Sequence, residues 1–270
     1  MSTVQTAPVT VGSGQDSGGG AANGRPPRRV WVEQVMGMPI SIHIRGTERG
    51  PGADVETAVA QAFAHLRRVD RVFSAWRDDS DLMRMRRGEL SEADAHPWVA
   101  EVRALCEEAE QRTGGLFRAT LPAPDGGGDV WDPTGLVKGW AVEGAARHLA
   151  LVPRISFCVN AGGDIVAGAG RDAGDLPAWR VGIEDPRDRS LVAATVELTV
   201  GAVATSGSAA RGAHIVDPRT RTPVDRAGSA TVTGPSLLWA DVWATALFVD
   251  PEQGRAALEG ADPAYRCLIL

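Results

Sequence analysis

Apolar and polar residues follow three patterns along this chain. From Ala53 to about Val72 the apolar side chains recur at helical spacing, with Val55, Val59, Ala62, Phe63, Leu66, Val69 and Phe73 on one stripe. Such a stripe predicts a helix that buries one face. "RVWVEQVMGMPISIHIRG" alternates with period two instead, which predicts two strands joined at Met36-Gly37-Met38. The third pattern is apolar all round: "LLWADVWATALFVD", residues 237 to 250, reads as a buried helix.

The other segments take shape from their start and stop signals. "SAWRDDSDLMRMRRGE" predicts a turn and a short helix with Ser80 as N-cap. Pro97 to about Gly114 reads as a helix, and Pro133 with Thr134 opens another that runs to about Ala150. Between these two, "GGLFRATLPAPDGGGDVWDPTG" reads as loop-rich. "RISFCVN", "DIVAGAG", "AWRVGIEDP", "LVAATVELTVGAVATSG", "AGSATVTGP" and "YRCLIL" predict strands, with "PEQGRAALEG" a late helix. Helices and strands mix without strict βαβ alternation, so the predicted class is α+β and not doubly wound α/β.

Composition narrows the function classes. A chain of 270 residues with 43% hydrophobic content can bury a sizeable core. Its formal net charge of −6 argues against a nucleic-acid partner, whose surface would call for a basic face. The arginines from Arg67 to Arg87 are interleaved with acids and read as a solvated helix face. Cys106, Cys158 and Cys267 are widely spaced, with no CxxC or Cys/His pattern for a disulfide framework or structural zinc. Residues 1–29 are rich in Gly, Ser and Pro and have no long apolar stretch, so they read as a disordered tail before a domain at 30–270. No run of about 18 apolar residues predicts a membrane span. The expectation is a soluble, cytoplasmic protein of open oligomeric state.

Candidate chemistry begins with Asp241, a carboxylate inside an apolar helix. An interior carboxylate neutralises, finds a partner or binds a metal. Thr245 follows at i+4 on the same face, and a carboxylate with a hydroxyl is a hard oxygen pair suited to magnesium. An Asp–Thr or Asp–Arg hydrogen bond would serve as well. "DPTGLVKGWAVEG" places Gly135 and Gly139 in the first turns of a helix, where each costs roughly 1 kcal/mol relative to alanine. Their expected use is to let something approach the backbone, and a helix N-terminus favours anions such as a pyrophosphate. Lys138, the only lysine in the chain, stands between them. "NAGGDI" reads first as a hairpin turn, with Asp164 close to any ligand that meets its backbone. "ATSGSAARGAHIVDPRTRTP" offers Thr205, Ser206, Ser208, Arg211, His214 and Asp217, and its His-Ile-Val-Asp-Pro alternates as a strand that ends in an Asp-Pro turn. No GxGxxG, P-loop, GxSxG or HExxH motif is present.

Taken in order, "MGMPISI", "FSAWRDDSDLMRM", "GGLFRA", "DPTGLVKGWAVE", "NAGGDI", "ATSGSAARGAHIVDPRTRTPV" and "SATVTGPSLLWADVWATALFV" resemble the FAD:protein FMN transferase (ApbE-like) family. The resemblance covers about residues 31 to 270. It implies a single α+β domain with mixed, mainly antiparallel sheets and packed helices. It also implies magnesium-dependent transfer of the FMN moiety of FAD to a threonine hydroxyl of a target protein, releasing AMP. The family's metal ligands fall on the Gly135 carbonyl, Asp241 and Thr245. Its flavin-binding positions match Met36, Trp76, Leu116, Phe117, Arg118, Asp132, Lys138, His214 and Ile215. His214 and Asp241 are both implied candidates for the base, with Lys138 and the metal offsetting charge on the pyrophosphate.

Three positions depart from the family's pattern. Arg118 stands where an aspartate usually follows the aromatic, Arg221 replaces a turn glycine, and Ala209 and Ala210 follow "TSG" where a tyrosine is usual. Two alternatives stay open at this level: a flavin-binding protein without transfer, and an FAD pyrophosphatase yielding FMN and AMP.

Overall fold

The computed structural model describes residues 28–46, 53–122, 127–208 and 215–270. The chain opens with a hairpin, β1 (Arg28–Val35) and β2 (Met38–Gly46), followed by α1 (Ala53–Phe73), α2 (Asp81–Arg86) and α3 (Trp98–Arg112). A short hairpin, β3 (Thr120–Pro122) and β4 (Asp129–Trp131), leads into α4 (Thr134–Ala150). Then come β5 (Ile155–Ala161), β6 (Asp164–Ala169), β7 (Trp179–Asp185), β8 (Asp188–Leu198) and β9 (Gly201–Gly207). After β10 (Val216–Asp217) and β11 (Thr222–Pro223), the chain ends in β12 (Ser229–Gly234), α5 (Leu237–Val249), α6 (Pro251–Ala261) and β13 (Arg266–Ile269).

Seven strands form the central sheet in the order β1-β2-β5-β6-β9-β12-β13, and every neighbouring pair is antiparallel. The helices α1, α4 and α5 belong to one large core with the inward residues of β2, β5, β9 and β12. A second, smaller core joins Cys158, Ile165, Ala167 and Val203 of the sheet to Trp179, Val181, Ile183, Ala194, Val196 and Leu198 of the β7–β8 ribbon. The molecule is therefore α+β with mainly antiparallel sheets. Burial of the predicted stripe on α1 is complete, from Val55 through Phe73. Burial also pushes the Cys106 and Cys158 thiols up to about 12, which leaves both inert as nucleophiles.

The structure departs from the sequence reading in two places. Arg28 and Arg29, read as tail, pair with Arg45 and Ile44 at the start of β1. The stretch read as loop-rich contains β3 and β4, paired through Thr120–Trp131, Leu121–Val130 and Pro122–Asp129. Strands of three residues are too short to show a period-two pattern. β10, by contrast, falls where His-Ile-Val-Asp-Pro reads as a strand ending in an Asp-Pro turn, and it pairs with Thr222 and Pro223 beyond that turn. His214 and residues 1–27 lie outside the described residues.

Candidate active site

The site is assembled where α4 and α5 cross. A Cβ on Gly139 would lie 2.8 Å from the Cα of Leu238, so only glycine lets the two helix backbones approach this closely. The glycine expected to admit a ligand admits another helix instead. One turn along α4, Glu143 accepts hydrogen bonds from the backbone N–H groups of Leu237 and Leu238, the latter at 3.2 Å. Ser236 caps the same helix through its Oγ, which accepts from Trp239 N at 3.3 Å. α5 is thus docked on α4 by a tight crossing and capped in part by α4 itself.

That docking brings Lys138 of α4 beside Asp241 of α5, with Nζ 3.4 Å from Oδ1. Nζ also forms a close ion pair with Asp164 Oδ2. Asp164 is 2% exposed and Asp241 3%, while the Lys138 side chain keeps 20% of its surface open. The second Asp164 oxygen accepts from the Thr205 N–H at 3.0 Å. This bond continues the β6–β9 ladder, whose backbone pairing starts at Ile165 and Val203. The turn before Asp164 is shaped by Gly162 and Gly163, with φ of 63° and 103°, and by Asn160, whose Oδ1 accepts from Gly163 N at 2.9 Å. The "NAGGDI" turn is a hairpin, and it also delivers a buried carboxylate to the only lysine.

Further oxygen donors stand on the same elements, α4, α5 and β9. Thr245 Oγ1 lies 3.2 Å from Ser206 Oγ at the end of β9. Gly135 is exposed in the first turn of α4, with Phe117 beneath it at 3.5 Å from where a Cβ would stand. Asp132 fastens the start of that helix, accepting from Thr134 N at 3.0 Å and from Thr134 Oγ1 at 2.6 Å. Arg86 braces the same corner from α2 through the Trp131 carbonyl at 2.9 Å and Asp132 at 3.5 Å.

The other positions that the family resemblance assigns to the flavin lie in distinct settings. Met36 occupies the β1–β2 turn at φ 56°, a left-handed conformation that is uncommon without glycine. Trp76 is 92% exposed, an unusual setting for so large an apolar ring. Leu116 and Phe117 are core residues, so this stretch has little side-chain surface to offer a ligand besides its main chain. Ile215 packs partly against the large core, and its carbonyl accepts from Val224 N at 2.7 Å. Arg118 pairs with Glu110 at 2.8 Å and lines a cleft of about 160 Å³ with Thr120, Leu121, Val216 and Arg221. Arg221 holds φ 61° and reaches across to Asp129 of β4. The left-handed backbone explains why a glycine would suit that position.

Asp164 is the residue that sequence reasoning valued too little. A carboxylate heading the apolar strand "DIVAGA" carries the same signal that drew attention to Asp241.

Comparison with known proteins gives consistent results. The family model described as "ApbE family" matches residues 36–124 and 130–269. The FAD:protein FMN transferase of Klebsiella pneumoniae (strain 342) is 26% identical over 305 residues, covering 90% of this chain and 85% of that one. The apo flavinyl transferase ApbE of Pseudomonas stutzeri superposes with a TM-score of 0.72 at 24% identity, covering 91% of each chain. The ApbE protein of Thermotoga maritima gives the same TM-score at 21% identity, covering 90% of this chain and 94% of that one. At such identities the two structures speak for the fold.

Proposed function

This chain belongs to the ApbE family, and on that premise we propose that it transfers the FMN moiety of FAD to a threonine hydroxyl of a target protein and releases AMP, with magnesium. The observation that carries this reading is the convergence of Lys138, Asp164 and Asp241 from three different elements. Two buried carboxylates and an ammonium are costly to keep together unless the charge is used.

The donor set fits magnesium. Asp241, Thr245 and the Gly135 carbonyl are hard oxygen donors, unlike the nitrogen and sulfur that zinc prefers. Among the described residues no group of three or more His, Cys, Asp or Glu could hold a metal. Magnesium suits such a sparse set, because it keeps waters and shares substrate phosphates with one or two carboxylates. When bound, it would supply Lewis-acid stabilisation of the phosphoryl oxygens.

In the proposed reaction the threonine oxygen attacks the FMN phosphorus and forms a phosphoester bond. The bond to the bridging pyrophosphate oxygen breaks, and AMP leaves with that electron pair. Lys138 offsets charge at the phosphates as a point charge. Asp164 holds the lysine in place. The threonine proton passes to a base, for which His214 and Asp241 are the two candidates. Trp76 offers a ring face on which the flavin stacks, and Met36 and Asp132 bound the same ligand.

The test is incubation with FAD and magnesium, with and without a bacterial lysate as the source of acceptors. AMP release that depends on lysate, with flavin fluorescence surviving on denatured protein and mapped to threonine by mass spectrometry, is the expected result. AMP without protein-bound flavin would make the chain a pyrophosphatase, and neither product would make it a flavin binder.

A further inference from the structure

Resting on that reading, we propose that Lys138, anchored by Asp164, is the internal counter-ion of Asp241 and keeps a divalent metal out of the site until FAD arrives. Asp241, the proposed charged metal ligand, faces an ammonium 3.4 Å away. That ammonium is held by a second buried carboxylate, which is itself fixed by the Thr205 N–H. The lysine therefore has little freedom to withdraw when a cation approaches.

A count of charges shows the consequence. Asp164, Lys138 and Asp241 together carry one net negative charge. A divalent ion alone would turn this into one net positive charge next to the lysine. Uncompensated charge among side chains that are 3% and 4% open is unfavourable. The dianionic pyrophosphate of FAD restores the starting balance once the metal is also present. Metal binding should therefore follow FAD or accompany it. By linkage, the factor by which FAD strengthens metal binding equals the factor by which metal strengthens FAD binding.

Lys138 and Asp164 should consequently act on the metal with opposite signs. A purely structural role for the pair would make both substitutions weaken binding. Lys138→Met removes the competing ammonium and should tighten binding of metal alone, whereas it should loosen FAD. Asp164→Asn keeps the hydrogen bond to Thr205 but leaves the lysine leaning on Asp241, and should weaken metal binding.

The experiment uses Mn²⁺ as probe. Free ion is counted by electron paramagnetic resonance, with and without FAD, for wild type, Lys138→Met, Lys138→Arg, Asp164→Asn and Asp241→Ala. In wild type, FAD is expected to tighten Mn²⁺ binding about tenfold or more, within the usual range of coupling between sites. Without FAD, Lys138→Met should bind Mn²⁺ about tenfold tighter than wild type, Lys138→Arg should resemble wild type, and Asp164→Asn should bind more weakly. Should Lys138→Met fail to fold, Lys138→Gln removes the same ammonium with a polar side chain, and tighter Mn²⁺ binding than wild type without FAD decides in its place. If FAD-dependent Mn²⁺ binding requires Asp241 but Lys138→Met binds Mn²⁺ no tighter than wild type, the counter-ion role is wrong and the metal reading stands. If wild type takes up no Mn²⁺ even with FAD, the metal reading fails and the counter-ion role fails with it.

Discussion

The cleft beside β3 and β4 and the cluster between α4 and α5 both set basic side chains against carboxylates, at very different depths. In the cleft, Arg118 meets Glu110 and Arg221 meets Asp129, with every partner more than 40% open to solvent. In the cluster, Lys138 meets Asp164 and Asp241, whose side chains are 3% and 4% open. Exposed pairs of this kind contribute about 0–1 kcal/mol, because water screens them and two long side chains must be ordered. Buried pairs behave otherwise, since removal of one partner strands the other in a low-dielectric setting. Depth is what separates a surface tether from a committed site.

The comparison breaks most sharply at Asp164. Asp164→Ala should lower stability by about 3–5 kcal/mol, because it strands Lys138 beside one carboxylate and leaves the Thr205 N–H unsatisfied. Urea unfolding followed by tryptophan fluorescence would measure this. A loss below about 1 kcal/mol would place the cluster with the surface pairs.

Gly139→Ala comes next. Its added Cβ would press on the Leu238 backbone at 2.8 Å, where no flexible side chain can yield. Overpacking of this sort costs about 1–3 kcal/mol. Because Lys138 is the adjacent residue, FAD affinity should fall together with stability. Unchanged FAD affinity in a destabilised Gly139→Ala protein would uncouple the helix crossing from the site.

A third region shows burial acting without an ion pair. His65 sits against Trp98 and Trp140, and a Cβ on Gly144 would overlap its ring. Burial, reinforced by His148, Arg147 and Arg68, pushes its pKa from 6.5 down to about 4. The unfolded chain therefore takes up this proton at a higher pH than the folded one. Stability from the neutral ring is present in full above the unfolded value and is lost as pH falls from 6.5 towards about 4. His65→Gln should flatten this part of the profile in unfolding titrations. An unchanged slope across that window would assign the acid sensitivity to other groups.

The smallest effect is expected in the cleft. Arg118→Asp exchanges an exposed ion pair for a carboxylate near Glu110, and should change stability by less than about 1 kcal/mol. FAD affinity, measured by flavin fluorescence, should hold or rise, because arginine can only donate where an aspartate would accept. A marked loss of affinity would make Arg118 an adapted contact.

The same contrast separates what was legible in the sequence from what was not. α1, α4 and α5 could be read directly, since a 3.6-residue stripe, a Pro-Thr start and an all-round apolar run each report burial along a single element. Asp241 stood out for the same reason. The hairpin β3–β4 could not be read, because strands of three residues have no period to detect. Pairings between distant segments were equally silent. Nothing local announces that Gly139 meets Leu238 or that Glu143 caps α5. Asp164 was legible in part, as a carboxylate opening an apolar strand, but its lysine partner is visible only once β6 and α4 are brought together.

The most direct test of the central claim is single-turnover AMP release from FAD with magnesium and an acceptor-bearing lysate. Wild type would be compared with Asp241→Asn and with Arg221→Gly, a cleft variant that removes the exposed pair to Asp129. The account predicts that Asp241→Asn abolishes release while the cleft variant keeps the wild-type rate within about threefold, as suits exposed pairs of small energy. Wild-type release from Asp241→Asn would contradict it and take the chemistry away from the buried cluster.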